Sequence, residues 1–118
     1  MTSVYLAGPY TKGDTVVNVG NQIRMYAALI DLGFAPYAPT LNHFVHMMFP
    51  HSYEEWMVQD FEWVRRCDCV LRMEGPSKGA NREIKFAKSL GKKIFYNISD
   101  LLDVYPNNIY ENVQNRKL

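Results

Sequence analysis

Short apolar, β-branched runs alternate with segments of helical period, and each run opens into a turn bearing glycine or proline. No repeat, linker or low-complexity tract interrupts that alternation. These observations predict an α/β domain, because strands separated by helices pair in parallel through right-handed crossovers and are covered on both faces. The specific expectation is a three-layer, flavodoxin-like or Rossmann-like domain with a four- to five-stranded parallel sheet. Residues 1–118 read as one such domain, and 105–118 as its polar C-terminal tail.

The first strand spans 3–7 and runs into a glycine-bearing loop, 8–14. Asp14 is placed to cap the following helix, in which Val16, Val19, Ile23, Tyr26, Ala27 and Ile30 repeat at helical spacing until Gly33 stops the run. Residues 34–38 form a second strand. Residues 39–52 are irregular, a loop with a short helical turn that carries Asn42, His43, His46, Met47, Met48, Phe49 and His51. A helix starts at Ser52 or Tyr53 and reaches Arg66, followed by a third strand over 67–73. The turn Gly75-Pro76-Ser77-Lys78-Gly79 opens a helix with Ile84, Ala87 and Leu90 inward, and Gly91 ends it. A fourth strand over 93–97 and a short helix over 98–104 precede Pro106.

Composition narrows the function. A formal charge of +1 gives no basis for binding a nucleic-acid polymer or an acidic membrane, although a small anion remains a suitable ligand. The N-terminal apolar run is too short for a signal peptide, and no stretch approaches the ~20 residues of a membrane span, so a cytoplasmic location is expected. Cys67 and Cys69 alternate on the third strand, point to one face and diverge too much to bond, so they read as small buried hydrophobes.

Two acids stand out. Asp60 lies in the apolar stripe of its helix, with Trp56 at i−4 and Val64 at i+4, where a carboxylate loses hydration unless it meets a partner. A structural hydrogen bond to backbone or to a tyrosine is the plainer account of it. Glu83 lies on the second turn of its helix and leans back toward the N-terminus, where Ser77 and free N–H groups suit an anion. An exposed glutamate and a simple serine cap are the corresponding plain readings. Ligands of parallel sheets bind beyond the carboxyl ends of the strands, where the loops 8–14, 39–52 and 74–79 converge. The first loop has neither G-x-G-x-x-G nor a Walker lysine. The histidines match no compact metal motif, so no metal is expected, and 39–52 suits stacking or hydrogen bonding to a base as well as it suits a lid packed on the core.

Three motifs resemble the nucleoside 2-deoxyribosyltransferase superfamily, closest to its 2′-deoxynucleoside 5′-monophosphate N-hydrolases and their small relatives. They are Val4-Tyr5-Leu6-Ala7-Gly8-Pro9-Tyr10, the stretch from Trp56 through Asp60 to Cys67-Asp68-Cys69-Val70, and Ser77-x-Gly79-x-x-x-Glu83 followed by Ala87 and Gly91-Lys92. Order and spacing agree over about residues 4–96. The resemblance implies Glu83 as the nucleophile at C1′, Asp60 as the group assisting departure of the base, and Tyr5 as an active-site tyrosine beside the nucleophile. It also implies Gly8, Pro9, Tyr10, Ser77 and Gly79 as substrate-binding positions, to which 39–52, a segment with no clear counterpart in the family, itself adds Asn42 and His43. Serine at 77 is the feature of phosphate-binding members, because a hydroxyl donates to phosphate where an aspartate repels it.

The implied reaction is hydrolysis of a nucleoside 5′-monophosphate through a glycosyl ester, with carboxyl groups ~5 Å apart and neither metal nor organic cofactor. Burial beside Trp56 is expected to raise the pKa of Asp60, and the helix N-terminus to favour ionised Glu83 modestly. Base exchange between nucleosides and a non-catalytic nucleotide sensor are the two rival readings. The resemblance further implies a homodimer or higher homo-oligomer, in which a neighbouring subunit completes the pocket.

Overall fold

The computed structural model describes residues 1–106. Its elements run β1 (Ser3–Ala7), α1 (Thr15–Asp31), β2 (Ala35–Tyr37), a 3-10 turn (Pro39–Asn42), α2 (His43–Met48), α3 (Tyr53–Arg66), β3 (Cys69–Arg72), α4 (Lys78–Ser89), β4 (Lys93–Phe95) and α5 (Ile98–Val104). The four strands pair in parallel in the order β2-β1-β3-β4, with Tyr5 opposite Tyr37 on one side and Val70 on the other. The chain leaves β1 toward β2 and then returns across β1 to β3, so the sheet has its topological switch point between β1 and β3. Asp60 and Glu83 lie on the helices that flank β3 in sequence, which directs both acids to that crevice.

The alternation of side chains along β1 and β3 builds two cores. Val4, Leu6, Cys69 and Leu71 face one way, packed with Phe95 against Leu29 of α1 and Leu101 of α5. Tyr5, Ala7 and Val70 face the other way, under Val64 of α3 and Ala80, Ile84 and Ala87 of α4. Three layers result, and the central strands are apolar at successive positions because both their faces are covered. Each fully buried leucine contributes about 1.5–3 kcal/mol of transfer energy, so β1 and β3 carry the fold while the three-residue β2 and β4 only flank it.

The caps are those the sequence implies. The Asp14 side chain accepts from Val17 N, Ser52 and Glu55 form a reciprocal capping box, and Ser77 Oγ accepts from Ala80 N at 3.0 Å. Gly33, at φ +88°, closes α1.

Several expectations need correction. In α1 the buried positions are Val19, Gln22 and Leu29, whereas Val16, Ile23 and Ile30 are exposed. An apolar residue fixes helical period but not which of two possible stripes meets the sheet. Leu90 is exposed because it is the C-cap residue of α4, past the last inward turn. The third strand begins at Cys69, since Cys67 caps the C-terminus of α3. Cys67 and Cys69 consequently pack in opposite cores, both buried and unbonded to each other. The fourth strand stops at Phe95, and Asn97 instead caps α5 by accepting from Asp100 N at 2.8 Å.

Residues 39–52 are more ordered than a loop, holding the 3-10 turn and α2, but they do not lay their apolar side chains on the core. Phe44, Met47, Met48 and Phe49 are each more than half exposed. Of the C-terminal tail, Tyr105 packs edge-on against Phe95 at 6.1 Å between ring centroids, and 107–118 lie outside the described residues. No helix among the described residues is long and apolar enough to cross a membrane.

Candidate active site

A cavity of about 740 Å³ opens beyond the carboxyl ends of β1, β2 and β3. The three converging loops form it: Gly8, Tyr10, Thr11 and Lys12 from the first, Pro39 to His51 in part from the second, and Ser77 to Ala80 after β3. Trp56, Met57 and Asp60 of α3 and Glu83 of α4 close its floor. That size falls in the range that holds a small-molecule ligand.

Glu83 is 4 % exposed although it is a glutamate on a helix. Its Oε2 accepts a 2.5 Å hydrogen bond from the Tyr5 hydroxyl, which is itself fully buried in the centre of β1. The carboxyl group of Asp60 faces that of Glu83 at hydrogen-bonding range. Burial pushes Asp60 up to about 6. Glu83 is likewise raised, well above the usual carboxylate range, first by burial and then by the charge of Asp60; the Tyr5 hydrogen bond and the Arg72 charge oppose the rise. Burial thus works against the ionised Glu83 that the helix N-terminus was expected to favour, since the dipole acts from more than one turn away. Two carboxyl groups this close titrate as a pair and can share a proton between them. Burial and the two acids raise the Tyr5 hydroxyl as well, so it stays a neutral donor. Behind it Tyr5, Tyr37 and Trp63 stack at centroid distances of 5.7 and 4.7 Å, fixing the ring.

At the other end of the cavity, Ser77 Oγ accepts from Ala80 N, which leaves its O–H as a donor. The first N–H groups of α4, at Lys78 and Gly79, belong to the unsatisfied set of a helix start. The loop before them is braced by Arg72, which donates to the carbonyl of Met73, to Gly75 O at 3.0 Å and to Asn81 Oδ1 at 3.1 Å.

The remaining positions divide clearly. Asn42 donates from Nδ2 to the Tyr37 hydroxyl at 3.3 Å, and Tyr10 Oη lies 2.6 Å from His43 Nδ1, so both pairs shape the wall. Gly8 also lines the cavity; a Cβ there would stand 3.1 Å from Met73 Cβ and 3.3 Å from Gln22 Nε2. Gly79 lines it too. Pro9 does not: it turns away and packs over Gly75. His46 accepts from Trp56 Nε1 at 2.9 Å and His51 Nδ1 lies 2.6 Å from Phe49 O, contacts that hold α2 beside α3.

Sequence reading overlooked Thr40, which is 5 % exposed, lines the cavity and has no partner for its hydroxyl among the described residues. It also overlooked Arg72, whose role appears only once β3 meets α4. The sole local signal for Thr40 is Pro39, which starts the 3-10 turn that aims it.

Several solved structures resemble the chain. A 2-deoxyribosyltransferase from the psychrotolerant bacterium Bacillus psychrosaccharolyticus superimposes with a TM-score of 0.61 and 21% identity, over 79% of this chain and 69% of that one. A 2-desoxiribosyltransferase from Leishmania mexicana gives a TM-score of 0.60 and 20% identity, over 80% of this chain and 62% of its own length. At these identities the likeness is one of fold, and the fold is that of the 2-deoxyribosyltransferases. No curated protein matches. Residues 2–97, which hold the whole sheet, both acids and the Ser77 turn, match a family described as "Domain of unknown function (DUF7768)", and the chain belongs to that family.

Proposed function

We propose that the protein is an N-glycosidase acting on a nucleoside 5′-monophosphate, yielding free base and sugar 5-phosphate. The observation that carries this reading is the meeting, at hydrogen-bonding range, of the buried carboxyl group of Glu83 and the half-buried one of Asp60, in a cavity that has an anion-suited helix start at its other end. The phosphate accepts from Ser77 and the free N–H groups of α4, while Asn42, His43 and the unpaired Thr40 hydroxyl meet the base or sugar.

The reaction begins with the shared proton. Glu83 passes it to Asp60, and the Tyr5 O–H then supports the Glu83 carboxylate as it bonds to C1′. The C1′–N bond breaks, and Asp60 gives its proton to the departing base. Water next attacks C1′, Asp60 takes its proton, and the ester bond breaks to restore Glu83. The chain's own residues suffice for each proton transfer.

Purified protein incubated with ribo- and deoxyribonucleoside monophosphates, and with the matching nucleosides, tests the proposal by chromatography of released base. Release from monophosphates in water is the expected result. Release only when a second base is added makes the protein a transferase, and binding without release makes it a sensor.

The same reading includes a cytoplasmic, homo-oligomeric enzyme. Val16, Gly20, Ile23, Ala27 and Ile30 recur on α1 at alternating four- and three-residue steps, the spacing of a paired-helix seam, and Val16, Ile23 and Ile30 are 80%, 44% and 46% exposed. Sedimentation equilibrium is expected to give a dimer or larger; a monomer removes this part.

A further inference from the structure

A second depression, of about 520 Å³, adjoins the cavity and shares Lys12, Ser77 and Lys78 with it. It continues away from the acids along the solvent face of α4, past Asn81, Arg82 and Lys85. Lys78, Asn81, Arg82 and Lys85 stand at i, i+3, i+4 and i+7 and so form one stripe, opposite the inward stripe of Ala80, Glu83, Ile84 and Ala87. From Lys78 to Lys85 the helix rises about 10 Å, which is room for a chain of anionic groups rather than one. Lys12 faces the stripe from the loop after β1.

The charge on this trough is unbalanced. Glu54 binds Arg82 through both oxygens, at 2.8 and 3.2 Å, and neutralises it. Lys12, Lys78 and Lys85 make no ion pair among the described residues, and Lys78 feels Glu54 only at longer range. Like charges in neighbouring helical positions repel, yet the whole chain carries a formal charge of only +1. A local surplus that starts at the anion-suited end of the cavity fits an anion extending out of it.

We propose that the preferred substrates carry two or three phosphates at the 5′ position, the first at Ser77 and the others in the Lys12–Lys78–Lys85 trough. This inference rests on the glycosidase reading of the adjoining cavity and extends its substrate class from monophosphates to di- and triphosphates. The bond cleaved is unchanged: water and a nucleoside di- or triphosphate give free base and the sugar 5-di- or triphosphate.

Calorimetry with inorganic phosphate and inorganic tripolyphosphate, alongside base release from nucleoside mono-, di- and triphosphates, tests it on the full chain. Tripolyphosphate is expected to bind about tenfold more tightly than phosphate at low salt, an advantage that added salt erodes. Lys85 lines only the trough and is exposed, so Lys85→Glu is expected to fold, to keep monophosphate turnover and to lose the triphosphate advantage in kcat/KM. Equal binding of the two inorganic anions, or an unchanged triphosphate-to-monophosphate ratio in Lys85→Glu, overturns the proposal. Base release confined to monophosphates removes the trough and leaves the glycosidase. A tripolyphosphate preference lost in Lys85→Glu, with no base released from any nucleotide, keeps the trough and removes the glycosidase.

Discussion

Glu83 is buried, with Tyr5 and the charge of Arg72 easing its ionisation and Asp60 opposing it, so its chemistry is set by very few groups. Glu83→Ala is expected to lower turnover by about 10³-fold or more while leaving the far-ultraviolet spectrum intact. Retained base release in that variant would exclude the covalent route. Ser77→Asp puts a carboxylate where the O–H points, and monophosphate turnover should fall more than nucleoside turnover; comparing kcat/KM for the two substrates reads this directly. Both positions were legible in the sequence, because a serine before a helix completes a local rule and a glutamate on the next turn leans back toward it. Which acid holds the proton was not legible. That depends on two side chains meeting across α3 and α4, and no local rule contains the distance between them.

Among the elements, the turn from β3 into α4 decides whether the anion end of the cavity exists. Gly75 adopts φ +112°, and a Cβ there would lie 2.8 Å from Pro9 Cγ, so Gly75 needs both its conformational freedom and its missing side chain. Gly75→Ala is expected to cost about 2–4 kcal/mol in urea melts and to weaken phosphate binding as the Arg72 brace shifts. A loss within a few tenths of a kcal/mol would mean that the turn tolerates another path. Element types and order were readable from period and punctuation. The inward stripe of α1 was not, because Val16, Ile23 and Ile30 obey helical spacing as well as Val19, Gln22 and Leu29 do, and only the sheet selects between them. Gln22 illustrates the limit: a glutamine inside a helix carries no mark of being 1 % exposed.

For the molecule as a whole, the buried acid pair makes stability depend on pH. Both carboxyl groups bind protons more readily folded than unfolded, so between pH ~4 and their folded values the native state holds more protons and stability falls as pH rises. Asp60, moved from 3.8 to about 6, accounts for up to about 3 kcal/mol of that decline. Urea midpoints at pH 4.5, 6 and 7.5 are expected to drop for the native chain and to flatten in the Asp60→Asn, Glu83→Gln double variant. An equal slope in both would place the effect elsewhere. The sheet itself has a separate consequence. With β2 and β4 each only three residues long, its margins expose too few unpaired amide and carbonyl groups to template further ladders. Among the described residues, strand addition at those margins has little to build on, which leaves surface shape and side-chain chemistry as the terms on which copies could meet.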